Sequence, residues 1–83
     1  MNKDYILFHL GETREALDQL ITALRSDPDY EFGNFSVDMS HLYHHLNTAW
    51  NARDASKAQA EACSESDFMR WRQFPVDDFA LSG

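Results

Sequence analysis

Ile6, Leu10, Thr13, Leu17, Leu20 and Leu24 are separated by steps of 4, 3, 4, 3 and 4. That rhythm lays one stripe along an α-helix, and Glu12, Arg14, Glu15 and Asp18 fill the other faces as solvent requires. A helix is therefore predicted over about residues 3–26. Gly11 lies inside it at a cost of about 1 kcal/mol relative to alanine, which predicts something bulky against it. Ser26-Asp27-Pro28-Asp29 ends the segment, because Pro28 disfavours helical geometry at Asp27 and the short polar side chains favour a turn. Phe35, Met39, Leu42, Leu46, Ala49 and Arg53 then repeat the same spacing, predicting a second helix over about 31–53 whose start falls between Asp29 and Asn34, with Asn34 a candidate N-cap.

Two helices of about 32 and 28 Å joined by a short connection predict an antiparallel hairpin. A turn centred near Tyr30 sets Leu10 and Gly11 opposite Ala49 and Trp50, making Trp50 the group that Gly11 accommodates. Past Arg53 the pattern weakens. Ser56-Lys57-Ala58-Gln59 reads as a capping box opening a helical turn over about 57–63. Ser64 or Ser66 caps a third helix, about 65–73, that stops before Pro75. The tail, 75–83, is expected to fold back over the hairpin through Phe79 and Leu81. No stretch alternates as a strand does. The expected fold is all-α: one small helical bundle, closing to four helices if the hairpin pairs with a copy of itself.

Charge narrows the choice of partner. Seven Lys and Arg against fourteen Asp and Glu give a net charge of −7, with acid in excess in both halves of the chain. Nucleic acid and anionic membrane surfaces call for clustered bases, so neither is an expected partner. Cys63 is the single cysteine, which excludes an intramolecular disulfide and favours a cytoplasmic setting. The apolar run Tyr5 to Phe8 is too short for a signal peptide or a membrane span.

One segment stands apart. From Met39 to Ala52 no residue is Asp, Glu, Lys or Arg, and a solvated helix normally carries charge on its outer face. Absent charge with abundant aromatic rings characterises the centre of a protein–protein interface. Leu42, Tyr43, His45, Leu46 and Trp50 are accordingly the candidates for an association face or for central packing.

The same segment carries a D-x-x-H-x-x-x-H spacing. Asp38, His41 and His45 fall on one flank of a helix, where imidazoles one turn apart can share a Zn, Ni or Fe ion. Glu15 or Asp18 would stand at the same height in the hairpin, with His44 further out and His9 nearer Asn51. The plainer expectation is hydrogen bonding of these rings within the fold, with no cofactor. Arg70 and Arg72 read as complements to a helix dipole around an inward Trp71. No Gly-rich phosphate loop, CxxC pair or acid/base dyad occurs, so no catalytic residue and no enzyme is expected. The functions left open are a homodimeric interaction module, a metal-binding protein, and an acidic inhibitor of the immunity-protein type that docks on a basic protein.

Overall fold

The computed structural model describes residues 1–76, which form four helices: α1 (Lys3–Ser26), α2 (Phe32–Asn51), α3 (Lys57–Ala62) and α4 (Glu65–Trp71). The long helices α1 and α2 make the expected hairpin, and α4 packs against α2. The described residues contain no strand.

Each helix start has a chemical cause. Asn2 caps α1, its side chain accepting the Tyr5 N–H at 3.1 Å. The same residue closes the open end of the hairpin: its backbone N–H donates to the Arg53 carbonyl and its side chain to that of Ala55. Asn34 is the third residue of α2, not its cap, and its side-chain oxygen accepts the Glu31 N–H at 3.1 Å. A polar side chain one turn into a helix can reach back to an orphan donor, so the helix starts earlier than the Asn alone suggests. The Ser56 capping box is present in both directions, and Ser64 caps α4 through the Asp67 N–H. Cys63 ends α3 with φ 38°, the left-handed position that glycine usually fills.

Docking of α4 depends on α2. Trp71, buried to 4% exposure, meets Tyr5 edge-on at 5.9 Å. Asn47 donates to the Arg72 carbonyl at 3.0 Å, and Asn51 donates to those of Trp71 and Gln73. Those carbonyls are the ones a helix C-terminus leaves without partners, so two asparagines one turn apart on α2 finish α4.

The register differs from the sequence expectation. His9 lies opposite His45, joined to it at 2.9 Å, whereas a turn at Tyr30 would have put His9 near Asn51. The shift has a direct consequence for Gly11. A Cβ there would meet nothing within 4 Å, so Trp50 does not pack on it; Trp50 instead lies under the Arg53 guanidinium, 4.1 Å from the ring centroid. Gly11 is thus an exposed helix-interior glycine with open space around it. Gly11→Ala should stabilise the fold by about 1 kcal/mol, a rise of roughly 4–8 °C in Tm. An unchanged or lower Tm by differential scanning calorimetry would contradict this.

Candidate functional site

The hairpin interior is unusually polar. Its buried residues include His9, Thr13, His45, Asn47 and Thr48 beside Leu20, Leu42, Ala49 and Ala52, and no large side chain among the described residues is completely enclosed. Thr13 and Thr48 satisfy their hydroxyls locally, donating to the carbonyls of His9 and His44 one turn back. The histidines behave otherwise.

All four converge on one layer. The His45 ring lies 5.2 Å from His9, 4.7 Å from His41 and 4.9 Å from His44, centroid to centroid, and His9 stands 6.3 Å from His44. Tyr5 and Phe8 wall His9 edge-on from α1, and Phe68 of α4 covers His44 at 5.1 Å. Two nitrogens in this layer, His9 Nε2 and His44 Nδ1, are buried with no hydrogen-bond partner. An unpaired buried acceptor costs less than an unpaired donor. The favoured tautomer therefore puts the His9 proton on Nδ1, where it donates to His45 Nδ1 and leaves Nε2 bare.

Burial penalises the charged form of each ring, and neighbouring imidazoles add to the penalty. His9 is lowered from 6.5 to about 4, first by burial and then by His45 and His44. His44 is lowered by burial and then by His45, Arg72 and His41. His45 is lowered by burial and His41, against the opposing pull of Glu12. His9, His44 and His45 are thus held toward the neutral form.

Asp38 takes no part in it. Its carboxylate accepts the Tyr30 hydroxyl at 2.6 Å near the turn, an interaction that pushes the Tyr30 pKa up to about 12 together with desolvation, the larger cause. Asp38, His41 and His45 are therefore not brought together as a ligand set, and no group of three His, Cys, Asp or Glu among the described residues is arranged to hold a metal ion. The spacing placed them on one flank, but the tyrosine across the turn claims the acid. His41 does meet His45, as the spacing predicts, and His9 and His44, which the spacing argument left aside, join them. The register would have revealed His9; the sequence alone leaves it open.

Beside this layer runs an apolar stripe. On α1 the inward residues His9 and Leu20 are each followed by an exposed apolar one, Leu10 at 43% and Ile21 at 38%. Leu17 and Leu24, seven and fourteen positions beyond Leu10, extend the row at 43% and 55%. On α2 the inward Leu42, His45 and Ala49 are followed in the same way by Tyr43, Leu46 and Trp50, of which Leu46 is 43% exposed and Trp50 half-buried. One position along a helix is a rotation of about 100°. Applied in the same sense to two antiparallel helices, it turns both rows to the same side of the hairpin. The flank occupied by α4 holds the residues that precede the inward ones, such as His44 before His45.

Of the five residues expected in an association face or in central packing, the structure buries Leu42 and His45 against α1 and sets Tyr43 and Leu46 outside. Tyr43 retains one ring contact, with Phe74 at 5.1 Å. No family model, curated protein or solved structure matches this chain. No helix among the described residues is long and apolar enough to cross a membrane.

Proposed function

We propose that this protein is a cytosolic helical interaction module that acts by binding and not by catalysis, and that the open hairpin face pairs with a second copy to complete a four-helix bundle. The observation that carries the reading is the stripe itself. The most regular row of leucines on α1 (Leu10, Leu17, Leu24) lies half in solvent, while the contact within the chain mixes Leu20, Leu42 and Ala49 with buried histidine and threonine. Among the described residues nothing covers this row, and Phe79 and Leu81 of the expected tail lie outside them.

A second copy is the occupant that the features of this face favour. Leu10, Leu17, Ile21, Leu24, Tyr43 and Leu46 are uncharged, and the Arg53 guanidinium over Trp50 lies just past the end of α2, so the leucine rows of two copies can meet without burying the carboxylates of this acidic chain.

The test replaces residues that folding does not bury. Leu17→Glu and Leu46→Glu each place a charge inside the proposed contact, so dimer affinity should fall by roughly a hundredfold. Sedimentation velocity should then show monomers at micromolar concentration with far-ultraviolet circular dichroism unchanged. If both variants sediment as the parent does, the face is not the contact.

A further inference from the structure

Every large apolar side chain that α1 exposes, save Phe8, falls on one seam. Leu7, Leu10, Arg14, Leu17, Ile21 and Leu24 follow steps of 3, 4, 3, 4 and 3, the spacing of a coiled-coil contact. The seam reads the same from either end. Leu7 and Leu24, Leu10 and Ile21, and Arg14 and Leu17 are all placed symmetrically about the peptide bond between Glu15 and Ala16. Two copies of α1 laid antiparallel about a two-fold axis at that bond therefore match Leu7 with Leu24, Leu10 with Ile21 and Arg14 with Leu17. No seam residue is left over, whereas a slide of one heptad either way leaves two apolar residues of each helix unmatched.

Charge selects the same arrangement. Lys3, Arg14 and Asp18 are exposed, and none of them enters an ion pair among the described residues. In the antiparallel pair Arg14 stands about 1.5 Å along the axis from the level of the partner's Asp18. The two-fold axis repeats the match, so each guanidinium beside the axis has a carboxylate from the other copy. Lys3, the next seam position outward, comes level with the partner's Asp27-Pro28-Asp29 turn.

The other way to stack two hairpins sets α1 over α2 with the turns at one end. Because His9 lies opposite His45, Arg14 would then come level with about Ser40 of the other copy. The nearest acid there, Asp38, is held by the Tyr30 hydroxyl, and Met39–Ala52 has no acid to offer. Arg14 would be covered without a counter-charge, which is costly. We propose that a second copy docks antiparallel, α1 on α1, and that Arg14 with the partner's Asp18 fixes this register; the proposal rests on the open-face reading above. A charged residue at one seam position specifies register and orientation at some cost in affinity.

The experiment compares the parent with Arg14→Glu, Asp18→Arg and the double variant by sedimentation equilibrium. Both side chains are exposed, so circular dichroism should not change. Each single swap sets like charges across the two-fold axis and should weaken dimerisation by at least about tenfold. The double variant restores opposite charges and should return affinity to within about threefold of the parent. Nitroxides on Ser26→Cys, in a Cys63→Ser background, should lie more than about 30 Å apart in the antiparallel pair and within about 25 Å if α1 stacks on α2. Should a charge swap unfold the chain, the nitroxide distance decides. A monomeric parent overturns the open-face reading and this pairing with it. A dimeric parent overturns the pairing alone if the single swaps dimerise unchanged, if the double variant stays as weak as they are, or if the labels give the short distance.

Discussion

The protein taken from about pH 7 to about pH 4 is expected to lose about 3 kcal/mol of stability through His9 alone. In the unfolded chain His9 binds a proton near 6.5; in the folded chain it resists until about 4. Between those values the unfolded state holds a proton that the native state refuses. Stability is therefore constant above about pH 6.5, declines as pH falls, and levels off below about 4 as far as this ring is concerned. His44 and His45 are displaced in the same direction, so they steepen the decline. The interval above about pH 5 is the diagnostic one, because ordinary carboxylates remain ionised there. Urea midpoints measured across it should fall steadily for the parent and more gently for His9→Gln, which cannot titrate. A flat profile in the parent would mean that the layer is open to water. A domain of this size holds only about 5–15 kcal/mol in all, so the expected loss is a large fraction of it.

Trp71→Ala is expected to cost about 3–5 kcal/mol, the usual range for deleting a buried tryptophan side chain. Neither α3 nor α4 buries any other residue, so this indole is the hydrophobic hold of the C-terminal half on the hairpin. Without it, the bonds from Asn47 and Asn51 to the carbonyls at the end of α4 must hold alone, at about 1 kcal/mol each. The α4 segment should detach. The readouts are a drop in Tm of more than about 10 °C and loss of protection of the Asn47 and Asn51 side-chain amides from hydrogen exchange. A change below about 1 kcal/mol would show that α4 is held by something other than Trp71.

The helical hairpin was legible in the sequence because two segments share one 4-3-4-3-4 rhythm around a proline-containing turn. The caps at Ser56 and Ser64 were legible for a similar reason: their geometry is local, and three residues of spacing determine it. Three features were less so. The rotation of each helix is only half legible: Thr13, Leu20, Leu42 and Ala49 of the two stripes are buried in the seam, but Leu10, Leu17, Leu24 and Leu46 of the same stripes lie outside it, because apolar periodicity identifies the greasiest stripe without saying which partner covers it. The register is not legible because a shift of about two turns brings equivalent heptad faces together again, and His9 meets His45, six residues from the expected Asn51. The expected register put Trp50 on Gly11 and separated His9 from His45. The asparagines that finish α4 gave no signal of their own, since their partners are backbone carbonyls more than nineteen residues away in sequence.

The rotation is itself informative. A helix whose strongest stripe points away from its own partner either leaves a leucine row wet or covers it with another molecule, and rows of this length are seldom left wet.

The direct measurement is the mass of the unmodified protein in solution, by light scattering at micromolar concentration and neutral pH. Pairing through the open face predicts twice the 9.6 kDa of a single chain, and a mass of one chain across that range would contradict it.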